Sequence, residues 1–187
     1  MIGKKEIRKQ IRERKTKLSL KEIENHSDII INNLITRYEY IHSKTIFTYV
    51  SFNQEVITKN LIEKTFKTKR VAVPKIVDDQ MVFFYIESLD ELAPGVKGIL
   101  EPVNTADSNI AIPQDGDLFV VPGLAFDLNK NRIGYGRGYY DKYFNKYKDT
   151  KFHKIALAFD FQIIDRIPAY DYDVTIDVII TEKRLIN

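Results

Sequence analysis

Cysteine is absent from the 187 residues. The chain can therefore form no disulfide, build no cysteine zinc site and use no thiol nucleophile, and a reducing cytosol suits it. Long apolar runs are missing too. None approaches the ~20 residues that cross a bilayer, so no membrane partner is expected. The opening Met1-Ile2-Gly3-Lys4-Lys5-Glu6 lacks the apolar core of a secretory signal, and the expected location is cytoplasmic. Histidine is scarce. His26 and His42 fall in or near an expected helix, His153 opens an expected strand, and no Ser/His/Asp set is suggested by position. Repeats, linkers and low-complexity tracts are also lacking, so residues 1–187 read as one domain. The mix, 44% hydrophobic and 29% charged, is that of a soluble globular chain.

Charge of one sign is abundant in one place only. Residues 1–17 carry Lys4, Lys5, Arg8, Lys9, Arg12, Arg14, Lys15 and Lys17 against Glu6 and Glu13, a local +6; the whole chain is +3, leaving 3 − 6 = −3 for the remainder. Gly3 to Lys15 reads as a helix with Ile7 and Ile11 on a narrow apolar stripe. Lys4, Arg8 and Arg12, spaced by four, form a ridge beside it. Three readings fit: a solvated basic face, a cationic clamp for polyphosphate, or an arm for nucleic acid. The last is the weakest, because aromatics are not interleaved and the rest of the chain is acidic.

Downstream, Ser19-Leu20-Lys21-Glu22 is a capping box opening a second helix through Ile23, Ile30, Leu34 and about Tyr38. Thr45–Val50 reads as a strand, Ser51–Glu55 as the loop after it, and a helix follows to about Thr68. Val71–Pro74 is a strand stopped by proline, and Met81–Ile86 is another. Pro94-Gly95, Gly98, Pro102 and Pro113 break residues 87–116 into turns and short extended pieces. Leu118–Val121, His153–Phe159 and Ile176–Thr181 complete the strands. Alternating strand and helix predict a Rossmann-like, three-layer α/β domain, its central, mostly parallel sheet flanked by helices. Ligands of such sheets bind beyond the carboxyl ends of the strands.

One such end is unusual. The apolar strand Leu118–Val121 meets Pro122-Gly123, then Asp127–Asn131 as a polar turn, then Arg132-Ile133-Gly134-Tyr135-Gly136-Arg137-Gly138-Tyr139-Tyr140-Asp141. Glycine lets a ligand approach the backbone closely. Successive free amides make an anion-binding concavity, and a helix N-terminus behind them favours phosphate. An ordinary turn is the alternative. A calcium loop is excluded: Asp127-x-Asn129-x-Asn131 has the opening spacing, but Arg132 and Gly138 stand where glycine and glutamate are required.

A bound polyphosphate calls for Mg²⁺ and hard oxygen ligands. Asp141 and Asp173 are placed for that, or Asp141 is a first-turn acid and Asp173 a loop cap. Glu55 is a site carboxylate or a first-turn acid. Tyr139 and Tyr140 are core residues or stacking surfaces.

Together these motifs resemble the 5-formyltetrahydrofolate cyclo-ligase family. The carriers are Lys4-x-x-x-Arg8, Pro122-Gly123-x-Ala125-Phe126-Asp127 and the Arg132–Asp141 segment. Gln54-Glu55-Val56-x-Thr58, Val73-Pro74-Lys75, Gly98-Ile99-x-Glu101-Pro102 and Ile167-Pro168 to Thr181 add to them. The resemblance implies ATP-dependent closure of 5-formyltetrahydrofolate to 5,10-methenyltetrahydrofolate, with ADP and phosphate released and Mg²⁺ as cofactor. It implies that Lys4, Lys5, Glu6, Ile7, Arg8 and Arg132, Ile133, Gly134, Tyr135, Gly136, Arg137, Gly138, Tyr139 and Tyr140 hold ATP. Val50, Phe52, Glu55 and Tyr135–Tyr139 would border the folate, and Asp141 and Asp173 the metal. Lys4, Arg8, Glu55 and Arg137 would carry the chemistry. Arg137 replaces a glycine common in the family, and Tyr172 a histidine. A monomer that binds no nucleic acid is expected. The rivals are an ATP-independent phosphosugar or coenzyme A enzyme of related fold and a nucleic-acid module using the basic helix.

Overall fold

The computed structural model describes residues 3–95 and 98–187. Seven strands form the main sheet: β1 (Thr45–Thr48), β2 (Arg70–Val77), β3 (Gln80–Ile86), β6 (Leu118–Val121), β9 (His153–Leu157), β11 (Val178–Ile180) and β12 (Leu185–Ile186). Their order is β12-β11-β9-β6-β1-β2-β3. The five central strands are parallel, and antiparallel β3 and β12 close the edges. The expected mostly parallel α/β sheet is therefore present.

The central strands are apolar throughout because both faces are covered. Ile46, Leu118, Val120, Ile155, Leu157, Val178 and Ile180 face α2 (Leu20–Ile35), α3 (Tyr38–His42) and α4 (Lys59–Thr65). Their alternates Phe47, Phe119, Val121, Ala156 and Ile179 face α5 (Tyr139–Lys146) through Tyr143 and Phe144. Period two thus sends each strand's neighbours into opposite cores. Each buried aromatic or aliphatic side chain contributes roughly 1.5–3 kcal/mol. Phe47 stacks on Phe119 with centroids 4.3 Å apart.

A second, three-stranded sheet joins β7 (Ala125–Asp127), β8 (Arg132–Ile133) and β10 (Ile163–Ile164). Helix α1 (Lys4–Lys15) lies on it: Ile7 and Ile11 pack with Leu124, Ala125, Ile133 and Ile167. The expected apolar stripe is real, and it ties the N-terminal helix to the glycine segment. The Asp127–Asn131 turn is a hairpin turn, with Lys130 at φ 64°. Asp127 is fully buried and accepts from the Asn131 N–H and side-chain amide and from the Ile167 N–H, at 2.8–3.0 Å. Strands β4 (Leu92–Pro94) and β5 (Leu100–Pro102) form a hairpin within the broken region 87–116.

The capping box is formed, with Glu22 N–H donating to Ser19 Oγ at 3.3 Å and Ser19 N–H to Glu22 Oε2 at 2.9 Å. Several expected boundaries shift. Helix α2 ends at Ile35, and exposed Tyr38 opens α3 instead. Helix α4 covers only Lys59–Thr65, because Val56 and Thr58 belong to the preceding loop. Pro74 does not stop β2. It lies beyond the last β1 pair, where β2 has only β3 beside it, so its missing N–H breaks no ladder bond.

Candidate functional site

The chain leaves β1 to one side for β2 and returns on the other side as β6. The carboxyl ends of β1 and β6 therefore flank the point where the winding reverses, the usual crevice of such sheets. The loop after β1 is stitched down. Thr58 Oγ1 donates to Tyr49 O at 2.8 Å, Ser51 N–H donates to Thr58 Oγ1 at 3.0 Å, and Tyr49 OH donates to Val56 O at 3.0 Å. This fixes Glu55, which is 9% exposed. Its carboxylate accepts from Phe52 N–H at 3.0 Å and from the Tyr135 hydroxyl of the glycine loop. Burial pushes the Glu55 carboxyl above its ordinary value; the two hydrogen bonds and the charge of Lys15 pull the other way. Desolvation where its hydroxyl meets Glu55 and the Glu55 charge push the Tyr135 hydroxyl up, so it remains a donor although the residue is half exposed. Phe52, whose N–H meets this carboxylate, is half-buried, and so is Val50, which packs against the cluster of Ile62, Val71, Val73 and Ile86. Phe52 reaches the loop between β4 and β5, where a Cβ on Gly98 would meet its ring at 3.8 Å.

The loop after β6 forms the facing wall. Gln162, buried, donates to Gly123 O at 2.8 Å and Leu124 O at 3.0 Å. Pro122 and Gly123 then close against Tyr49, Glu55, Gln162 and Lys15, leaving a gap too narrow to admit water.

The glycine loop and α1 meet. Arg8 Nε donates to Gly134 O at 2.9 Å. A Cβ on Gly136, at φ 111°, would touch the Arg8 guanidinium at 3.8 Å. Gly138, at φ 69°, is the residue before α5. Both torsions favour glycine. Gly136, Arg137 and Gly138 are exposed above the helix start. Lys4 lies over the Tyr170 ring at 4.5 Å and pairs with Asp173 Oδ2 at 2.6 Å.

Other expected ligands are engaged with the protein itself, packed in a core or exposed. Arg132 is buried, and its Nη2 donates to both oxygens of Asp141 at 3.1 Å. It passes beneath Gly134, where a Cβ would lie 2.8 Å from Nη1. Ile7 and Ile133 are core residues, while Lys5 and Glu6 are exposed on α1. Tyr139 donates to Asp79 Oδ1 at 2.8 Å. Tyr140 is half-buried, with its hydroxyl unpartnered among the described residues. Sequence reading overlooked Lys15, which is 6% exposed. Its spacing of four beyond Ile7 and Ile11 was the available signal.

Asp141 and Asp173 are close neighbours, since the Val174 N–H donates to Asp141 Oδ1 at 3.3 Å. Each is already paired with a cation, and among the described residues no group of three His, Cys, Asp or Glu side chains could cage a metal. Mg²⁺ commonly takes one or two carboxylates plus phosphate oxygens and water. The donor set fits that mode and not a closed protein cage.

Fold and site thus define an α/β enzyme with a cationic, glycine-lined rim beside a buried carboxylate. The profile of the 5-formyltetrahydrofolate cyclo-ligase family matches residues 1–182, and the chain belongs to that family. The mouse 5-formyltetrahydrofolate cyclo-ligase is 30% identical over 190 residues, covering 96% of this chain and 94% of its own. The Escherichia coli K12 protein of the same name is 24% identical, over 94% of this chain and 98% of its own. The Aquifex aeolicus 5,10-methenyltetrahydrofolate synthetase structure superposes with TM-score 0.84 and 34% identity, covering 97% of this chain and 91% of that one. The Mycoplasma pneumoniae synthetase gives 0.72 and 26%, with 97% and 99% covered.

Proposed function

We propose that this protein closes 5-formyltetrahydrofolate to 5,10-methenyltetrahydrofolate, consuming ATP and releasing ADP and phosphate. The observation that carries the site assignment is the meeting of Arg8 with the backbone of Gly134 and Gly136, next to a loop whose Tyr135 reaches Glu55. One loop therefore borders both reactants: its amide side faces the phosphates and its tyrosine faces the folate.

A formamide oxygen is a poor leaving group. Attack of that oxygen on the γ-phosphoryl group expels ADP and leaves an imino-phosphate. N10 then adds to the activated carbon, loses its proton, and phosphate departs with the former formyl oxygen. Positioning and charge stabilisation do most of the work in phosphoryl transfer. Arg8, Lys4, Arg137 and the loop amides hold the phosphates. Lys4 must then share its ammonium between Asp173 and phosphate. Arg132 shapes the loop from below and keeps Asp141 in place. Glu55 accepts from N–H groups of the reduced pterin, with Val50 and Phe52 against the ring. Mg²⁺, held by Asp141 or Asp173 with phosphate oxygens, would supply charge neutralisation.

The working form is read as a cytoplasmic monomer. The decisive assay follows methenyl product from purified protein, 5-formyltetrahydrofolate and Mg²⁺, with and without ATP. Product without nucleotide, or none with it, would overturn the assignment.

A further inference from the structure

Helix α1 runs past the site like a ruler. Arg8 meets Gly134 and Gly136, on either side of the Tyr135 that reaches Glu55. Lys4 lies one turn nearer the N-terminus, about 6 Å along the axis. Its ammonium pairs with Asp173 and sits 4.5 Å from the centre of the Tyr170 ring. Contacts along α1 therefore lead away from Glu55, across the glycine loop, to residues 170–173.

Those four residues form a tight turn. Asp173 N–H donates to Tyr170 O at 2.9 Å, and Tyr170 N–H donates to Asp173 Oδ2 at 2.8 Å. Asn145 of α5 donates from its amide to Tyr172 O at 3.4 Å. With the backbone held, the rings of Tyr170 and Tyr172 stack, their centroids 5.4 Å apart and their planes 17° from parallel. Yet the two residues are 53% and 65% exposed. Buried aromatic area stabilises a fold; these rings leave most of theirs in water, beside a cation.

We propose that Tyr170 and Tyr172 form a stacking platform for the base of the nucleotide, with Lys4 joining it to the phosphate clamp. The proposal rests on the family reading of the glycine loop. A flat π surface with an ammonium against it suits a heteroaromatic ring carried on an anionic chain. The terminal phosphoryl group must face the folate, on the Tyr135 side of the loop. The rest of the nucleotide then runs past Arg8 toward Lys4, and its base falls on the exposed tyrosines. Stacking reads the face of a base and not its hydrogen-bonding edge, so the platform supplies affinity for a nucleoside with weak discrimination between bases.

The test is calorimetric binding of ADP and of inorganic tripolyphosphate, each with Mg²⁺, to wild type, Tyr172→Ala and Tyr172→Phe. Tripolyphosphate has the charge and lacks the base. Tyr172→Ala should weaken ADP about tenfold and leave tripolyphosphate within about twofold. Tyr172→Phe keeps a ring and should bind both as wild type does. In turnover, Tyr172→Ala should raise ATP KM by the same factor without moving folate KM. Equal losses for ADP and tripolyphosphate would make Tyr172 a support of the Lys4–Asp173 pair, and unchanged ADP affinity would leave the rings idle; either result overturns the proposal. Wild-type protein that binds ADP but forms no methenyl product would instead sink the family reading, and the ratio of the two affinities would still decide the platform. Wild-type protein that binds no ADP would overturn both.

Discussion

The rim of the glycine loop and the crevice behind it share residues 134–136 yet obey different electrostatics. On the rim, Arg137 is exposed and Arg8 is partly so. Charges there act through water, each contact is worth little, and many are needed to hold one polyphosphate. In the crevice, Glu55 and Lys15 are nearly dry. A single group there carries a larger interaction and a larger penalty when left alone. The rim should therefore degrade gradually under substitution, and the crevice abruptly.

The sharpest break should come at Glu55. Glu55→Ala removes an acceptor whose charge-assisted hydrogen bonds are worth roughly 1.5–3 kcal/mol each. The expected fall in kcat/KM for folate is about a hundredfold or more, with ATP KM within about twofold. An equal loss against both substrates would erase the distinction between the regions. Glu55 also carries a pH signature. Its folded-state pKa is raised, so its contribution favours folding at low pH and is lost as pH rises through the folded value. The thermal stability of wild type relative to Glu55→Gln should therefore improve on acidification. A difference in Tm that does not change between pH 8 and pH 5 would contradict the buried, raised carboxyl.

Next in size is the pair beneath the rim. Arg132→Met leaves Asp141 without its cation. The Arg132 side chain is 5% exposed and that of Asp141 22%, so solvent relieves part of the loss. A penalty of about 2–3 kcal/mol is expected, below the 3–5 kcal/mol typical of a fully buried broken pair. Chemical denaturation should show it, with Tm lower by roughly 5–10 °C. An unchanged midpoint would mean that Arg132 is not a structural support. Arg8→Ala should act differently, raising ATP KM about tenfold while leaving the denaturation midpoint within about 0.5 kcal/mol.

What the sequence disclosed about these two regions depended on how local the cause was. The Ile7–Ile11 stripe, the Ser19 capping box and the strand cores are written in adjacent residues, and each is where periodicity places it. The glycine segment was legible because glycine itself is the signal. Partnerships across long separations were not. Nothing near Arg132 says that its guanidinium turns inward to Asp141, and nothing near Pro74 says that β1 has already ended. Lys15 was the opposite case. It reads as one more surface cation in a basic run until β7 and the segment after β9 pack over α1. Only that packing converts a solvated charge into a buried one.

The smallest effect is expected at Arg137. Its guanidinium is exposed beside Gly136 and Gly138 and can approach a phosphate only through water-rich surroundings. Arg137→Gly should raise ATP KM about two- to threefold near 0.05 M salt, and the difference should fade by about 0.5 M as screening shortens to a few ångströms. Folate KM should not move. Gly136→Ala supplies the contrast, since its φ of 111° is unfavourable for any side chain, while the added Cβ would meet Arg8 only at an ordinary contact distance. Its defect in ATP KM should persist at both salt concentrations, because backbone strain is not screened. If the Arg137→Gly defect also persisted in high salt, Arg137 would make a tight, desolvated phosphate contact, and the rim would have to be counted with the crevice.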